Sequence, residues 1–139
     1  MAEKISLDVV TPDKQLLSEQ VDIVVATGTE GEFGVLPGHI PFLTTLQPGE
    51  LHYRQGNTVT FLAVSGGFAE VNSDKVTILA EAAEFERDID LERAIRARER
   101  AEQRLEQARH DEHIDHARCE AALRRAMARI KVAEKMRQH

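Results

Sequence analysis

The stretch from Asp88 to His139 contains neither glycine nor proline and is dense in Ala, Arg, Glu and Leu. Strong helix formers of that kind, uninterrupted by breakers, leave little choice but helix. The one interruption is a polar run from His110 to His113, which predicts two helices joined by a short turn and folded back as a hairpin. On the first arm Leu91, Ala94, Ile95, Ala101, Leu105 and Ala108 recur at helical period, and on the second Cys119, Ala122, Leu123, Ala126, Ile130 and Ala133 do the same. Half of those positions are alanine. Alanine lets helices approach closely but buries little area, at about 0.8 kcal/mol per buried CH₂, so this seam predicts a hairpin able to open. Each arm also has Glu and Arg spaced for i,i+4 pairs, including Arg98 with Glu102, and either could persist as a helix apart from its mate. Joined end to end, the two arms would reach roughly 70 Å.

Charge divides the chain at the same place. Residues 1–87 hold 5 Lys/Arg against 13 Asp/Glu, net −8, whereas residues 88–139 hold 13 against 11, net +2. From Arg118 to His139 there are 7 basic and 2 acidic residues. A basic rod thus hangs from an acidic body, suited to an acidic protein surface or to phosphates. The overall charge of −6 argues against a general nucleic-acid binder, and the absence of Trp removes the best platform for stacking bases. The single Cys119 has no internal disulfide partner, which fits a reducing compartment. The apolar run at the start is too short for a signal peptide, and no run approaches 18 apolar residues, so no direct membrane insertion is expected.

The remaining residues read as strands. Ile5, Leu7 and Val9 alternate with polar neighbours, Leu16 and Leu17 open a second strand, and residues 21–26 form a more buried third. A glycine-rich loop around Gly28, Gly31 and Gly34 follows. Further strands are expected at 41–46, 50–54, 58–64, 67–71 and 75–80, separated by turns at Gln47-Pro48-Gly49, Gln55-Gly56-Asn57, Ser65-Gly66 and Asn72-Ser73-Asp74. Many short strands with frequent turn signals predict an antiparallel sandwich or barrel. The fold class is therefore a mainly β domain of residues 1–86 followed by a helical hairpin of residues 87–139.

Several groupings imitate catalytic motifs without their chemistry. The glycine-rich loop lacks the Gly-Lys-Ser/Thr ending of a phosphate loop, and Ser65-Gly66-Gly67 lacks the glycine that precedes the serine of a nucleophile elbow. Ser65-Gly66-Gly67 reads instead as a close approach of backbone, where a side chain would clash. His39, between Leu36-Pro37-Gly38 and Ile40-Pro41, has no nearby nucleophile or carboxylate to form a triad, which favours a structural or interface role. His110, His113, His116 and Cys119 recur every three residues with acids between them, and all are potential zinc or nickel ligands. A period of three drifts by about 60° per step on a helix, so the four do not converge on one ion, and a solvated turn is the expectation. An enzyme reading through His39 or this turn lacks an assembled set of ligands.

The runs Gly34-Val35-Leu36-Pro37-Gly38-His39-Ile40-Pro41, Ser65-Gly66-Gly67-Phe68, Val76-Thr77-Ile78-Leu79-Ala80 and Ile89-Asp90-Leu91-Glu92-Arg93-Ala94, in this order and spacing, closely resemble the epsilon subunit of bacterial F-type ATP synthases. The resemblance covers essentially the whole chain. It implies a ten-stranded β-sandwich and a helical hairpin, and a non-catalytic rotor component of the central stalk on the cytoplasmic face of the bacterial membrane. It implies that the sandwich, through the His39 loop and nearby strands, is held by the gamma subunit and the c-ring, coupling proton flow to ATP synthesis. The hairpin, by the same resemblance, permits ATP hydrolysis when folded and obstructs it when extended among the beta and alpha subunits. The basic second arm, including Arg118, Arg124, Lys131 and Lys135, then meets acidic beta segments.

In some members of that family ATP, with or without Mg, stabilises the folded hairpin through an Ile/Leu-Asp-x-x-Arg-Ala motif, present here as Ile89, Asp90, Arg93 and Ala94. Glu84, Arg100, Arg125 and Arg129 complete the set that the resemblance implies. The spacing is compatible, since Arg93 and Arg100 share one helix face and Arg125 and Arg129 are one turn apart. Closing the hairpin would bring both guanidinium rows to one polyphosphate, with Asp90 and Glu84 as acceptors for an adenine amino group. The plain alternative is that these arginines merely pair with neighbouring glutamates. A free-standing nucleotide sensor, without a stalk partner, is the remaining functional alternative.

Overall fold

A computed structural model describes residues 3–137, with side-chain surroundings up to Lys135. Eight strands come first: β1 (Ile5–Val10), β2 (Gln15–Val21), β3 (Ile23–Gly28), β4 (Gly31–Val35), β5 (Phe42–Gln55), β6 (Thr58–Val71), β7 (Lys75–Ala80) and β8 (Ala83–Phe85). They join in the order β2-β1-β7-β6-β5-β3-β4, with β8 added to β6. Every pairing is antiparallel except that of β1 with β7.

Two strands of 14 residues explain how one sheet becomes two layers. β5 and β6 pair without a register shift from Phe42↔Val71 to Gln55↔Thr58, passing through Leu46↔Gly67 and Pro48↔Ser65. β6 takes β8 along its first half and β7 along its second, while β3 changes register with β5 between Val25 and Gly28. The sheet doubles over at this level. Between its layers lies a core with Ile5, Leu7, Val9, Val24, Leu51, Leu62 and Ile78 wholly buried. Period-2 alternation is clean on β1, where every second residue is buried.

The turn signals at 47–49 and 65–67 therefore mark bends within continuous strands rather than strand ends. That also reconciles eight strands with the ten implied by family resemblance, because dividing β5 and β6 at the bend makes up the difference. The close approach inferred at Ser65-Gly66-Gly67 is present. Gly67 has φ +130°, and a Cβ there would lie 2.0 Å from the Leu79 carbonyl oxygen. The glycine-rich loop is a hairpin instead, in which Gly28↔Gly31 closes β3 onto β4.

A single 3-10 turn, Glu86–Asp88, leads from β8 to α1 (Leu91–Ala108), and α2 (His116–Arg137) follows. Both helix starts are capped by aspartate: Asp90 Oδ1 accepts the Arg93 N–H at 3.1 Å, and Asp115 Oδ1 accepts the Arg118 N–H at 3.1 Å. The hairpin is folded, with α2 packed on α1 and also on β5 and β6. Its fully buried seam is mostly alanine, namely Ala94, Ala101, Ala126 and Ala133, with Cys119 and Ile130. Leu91, Ile95, Leu105, Ala108, Ala122 and Leu123 are only half-buried. Ala128 and Val132, outside the expected stripe, are buried as well. Ala126 and Ala128 stand about 200° apart on a helix, so α2 is covered on two sides, by its mate and by the sandwich.

Candidate functional site

Between α1, α2 and the β6–β8 edge lies a cavity of about 710 Å³, within the range of small-molecule sites. Its apolar wall comes from Ala63, Val64, Ala97, Ala101 and Ala126. Its polar lining is almost entirely guanidinium: Arg93, Arg100 and Arg104 from α1, Arg125 and Arg129 from α2. The residues at 93, 97, 100, 101 and 104 share one face of α1, so the helix that seals the seam with alanine presents arginine beside it.

One carboxylate enters this lining. Glu84, on β8, takes a forked contact from Arg129, with Nε donating to Oε1 at 2.6 Å and an NH2 nitrogen donating to Oε2 at 3.3 Å. The pair is partly buried and ties α2 to the sandwich. Among the described residues no carboxylate lies within 4.0 Å of Arg93, Arg100, Arg104 or Arg125, and the helix ion pairs are Arg98 with Glu102 at 3.5 Å and Arg109 with Glu106 at 3.4 Å. The alternative in which the cavity arginines merely neutralise nearby glutamates therefore holds for Arg129 alone. Four guanidinium groups facing one cavity without counter-ions make a site for a polyanion.

The other residues singled out from sequence are placed differently. Asp90 serves as the N-cap of α1, Ile89 is half-buried beyond the 3-10 turn, and Ala94 is completely buried in the helix seam. None of the three lines the cavity. Arg118 and Arg124 are exposed. Lys131 and Lys135 are fastened to the sandwich, where Glu50 on β5 receives their ammonium groups at 3.4 and 3.7 Å, and Lys135 also lies 5.0 Å from the Phe61 ring centroid. His39 turns its Nδ1 to the Ile40 carbonyl oxygen at 2.7 Å and stacks obliquely on Phe42. At the start of α2, just past the interhelical turn, His116 pairs with Glu120 at 2.8 Å and Cys119 is buried, and among the described residues no three His, Cys, Asp or Glu side chains form a metal-binding group.

Two participants escaped sequence reasoning. Arg104 was detectable, since it follows Arg100 by one turn on the same face. Glu50 was not, because nothing local to a β5 residue reveals that a helix 80 residues later will lie across it.

The model of the ATP synthase delta/epsilon chain β-sandwich domain matches residues 4–86, and that of the delta/epsilon chain long α-helix domain matches residues 87–134. The chain belongs to the ATP synthase delta/epsilon family. Within this family it is 60% identical to an ATP synthase epsilon chain of Syntrophobacter fumaroxidans, over 97% of this chain and 99% of that protein. It is 57% identical to an ATP synthase epsilon chain of Nitratidesulfovibrio vulgaris, over 95% and 97% of the two chains. Among solved structures, a chain in the Euglena gracilis mitochondrial ATP synthase assembly of OSCP, F1 and c-ring aligns with TM-score 0.80 and 29% identity, over 98% of this chain and 82% of that one. No helix among the described residues of this epsilon-family chain is long and apolar enough to cross a membrane.

Proposed function

We propose that the chain is a non-catalytic central-stalk subunit of a proton-translocating F-type ATP synthase, at the cytoplasmic face of a bacterial membrane, with a hairpin that senses ATP and restrains ATP hydrolysis. The observation that carries the sensing half is the cavity with four uncommitted arginines, which exists only while α1 and α2 are folded on the sandwich. A ligand bound by the closed form and not by the open one shifts the equilibrium by its differential affinity. Removing that ligand frees α2. Lys131 and Lys135 then leave Glu50 and join the already exposed Arg118 and Arg124 as contacts for acidic segments of the beta and alpha subunits.

The stalk half is supported by two exposed apolar faces on the sandwich. Leu36, Ile40 and Leu43, beside His39, are 54%, 79% and 70% exposed. Phe68 and Leu79, register partners on β6 and β7, line a groove of about 350 Å³ with Val10 and Pro12. Exposed apolar patches of this kind mark protein contacts, and two of them suit a subunit held between gamma and the c-ring.

A magnesium ion arriving with ATP would find little of its own in the cavity, because Glu84, the sole lining carboxylate among the described residues, is engaged by Arg129. Arginine does not ligate metal ions, so the ion would be carried by the phosphates. Calorimetry of the full chain with ATP, beside Arg93→Ala, tests the reading. Binding that the substitution weakens at least about tenfold supports it, whereas no heat with the native sequence removes the sensor and leaves the stalk role to be judged by copurification with gamma.

A further inference from the structure

We infer that His52 makes the docking of α2 sensitive to pH, because a proton on its ring draws Glu50 away from the two lysines that fasten the helix. The inference rests on the proposed function only in requiring a hairpin that can leave the sandwich, and it does not involve the arginine cavity. His52 and Glu50 are two residues apart on β5 and so share the face that α2 covers. His52 Nδ1 is shielded from solvent and has no hydrogen-bond partner among the described residues. It lies 3.6 Å from Oε1 of Glu50. The same oxygen is 3.7 Å from Lys135 Nζ, while Lys131 Nζ is 3.4 Å from Oε2. Imidazole and ammonium also share the Phe61 ring, whose centroid is 5.2 Å from that of His52 and 5.0 Å from Lys135 Nζ. One carboxylate thus serves two cations and borders a third group able to become one.

The other groups at this corner give His52 no second counter-ion within 4.0 Å among the described residues. On β5, Arg54 is paired with Asp22 at 3.6 Å, and the register partners of His52 are Val25 on β3 and Phe61 on β6. Glu84 on β8 is held by Arg129, Glu86 sits in the 3-10 turn that packs on α2, and Glu134, between the two lysines, is exposed. Neutral His52 therefore leaves Glu50 to Lys131 and Lys135. Protonated His52 takes a share of Oε1 and sets a third positive charge beside Lys135, no farther from it than their two contacts to that oxygen laid end to end. With α2 undocked, the same ring has Glu50 to itself. The undocked form accommodates the proton better, so by linkage acid favours undocking. The tie is whole above the imidazole range and weakens as pH falls through it, from about pH 8 to about pH 5. That window lies above the one in which exposed carboxyl groups protonate.

The test is backbone hydrogen exchange of the full chain without nucleotide at about pH 7.5 and about pH 5.5, expressed as protection relative to the intrinsic rate at each pH. In the native sequence the protection of α2 should fall about fivefold on acidification, the scale of one surface ion pair, with β1 and β7 unchanged. His52→Gln, which cannot take up the proton, should change less than about twofold. The double variant Lys131→Gln, Lys135→Gln should be as insensitive, because it keeps His52 but removes the cations that His52 displaces. His116 pairs with Glu120 inside α2, so His116→Gln should respond as the native chain does. The inference is overturned if α2 of the native chain does not respond, if the response persists in His52→Gln or in the double variant, or if it vanishes in His116→Gln. Where His52→Gln fails to dock, the double variant decides. If α2 is protected as strongly as β1 and β7 at both pH values, the hairpin does not leave the sandwich, and the mobile-hairpin reading falls together with the inference.

Discussion

Asp8 and Asp22 carry the clearest electrostatic ties in the sandwich. Asp8 accepts the Ser18 hydroxyl at 2.8 Å and the Lys75 ammonium at 3.0 Å, and these contacts hold its carboxyl below the usual carboxylate range. Asp22 is lowered in the same sense by Lys4 and by the Gly56 N–H, which donates to Oδ2 at 2.7 Å. Each pairing joins distant segments: Asp8 on β1 reaches β2 and β7, and Asp22 links the start of the chain to the β5–β6 turn. A carboxyl whose pKa is lower in the folded than in the unfolded chain contributes stability above about pH 4, and that contribution disappears as pH falls through the folded value. Urea midpoints measured from pH 7 down to pH 2.5 should therefore drop on the acid side. In the double variant Asp8→Asn, Asp22→Asn the midpoint should be lower at pH 7 and the acid decline shallower. An unchanged acid limb would show that other carboxylates govern it.

At the scale of elements, the bend in β5 and β6 is what makes a sandwich out of one sheet, and Gly67 is its tightest point. A Cβ at Gly67 would meet the Leu79 carbonyl oxygen at 2.0 Å and the Ala80 Cα at 2.9 Å, both backbone atoms of the paired strand. Neither can rotate aside. Gly67→Ala should therefore cost about 2–4 kcal/mol in urea unfolding, combining a positive φ with forced separation of β6 from β7. A loss under about 1 kcal/mol would mean that the strands separate freely. The same bend marks where sequence reading stopped short. Pro48-Gly49 and Ser65-Gly66-Gly67 carry the residues that usually end strands, and local chemistry cannot distinguish an end from a fold in a strand whose partner continues. β8, three residues long, leaves no periodicity to detect. Gly28 to Gly34 looked like a loop because glycine replaces the alternating side chains of a hairpin. The helices were legible since their signals are local: Asp90 and Asp115 cap them, and no breaker lies within. The cavity arginines were legible for the same reason, as residues repeating on one helix face. The second buried side of α2, at Ala128 and Val132, depends on the sandwich and has no such local signature.

For the whole molecule, the acidic body grips the very helix that the proposed function requires it to release. Glu50 takes both Lys131 and Lys135, Glu84 takes Arg129, and Ile130, Val132 and Ala133 are buried between these contacts. The C-terminal half of α2 is thus the fastened half, whereas near its start Arg118 and Arg124 are exposed. An acidic partner surface would compete with Glu50 for the same two lysines, so the strength of that grip sets how readily the hairpin leaves. Surface ion pairs are worth about 0.2–1 kcal/mol each, and two that share the largely covered Glu50 carboxylate bring the sum near 1 kcal/mol. Glu50→Gln should accordingly raise the population of the undocked hairpin about fivefold, read as faster backbone hydrogen exchange across α2 with β1 and β7 unchanged. Glu70→Gln, an exposed substitution on β6 without an ion pair among the described residues, serves as the charge-matched control. Saturating ATP should return the α2 exchange of Glu50→Gln toward the native rate, because the ligand and the carboxylate stabilise the same closed posture through separate contacts. If α2 exchanges at the native rate in Glu50→Gln, the apolar contacts of Ile130 and Val132 hold the helix without the ion pairs, and competition for Lys131 and Lys135 is not how the hairpin is drawn away.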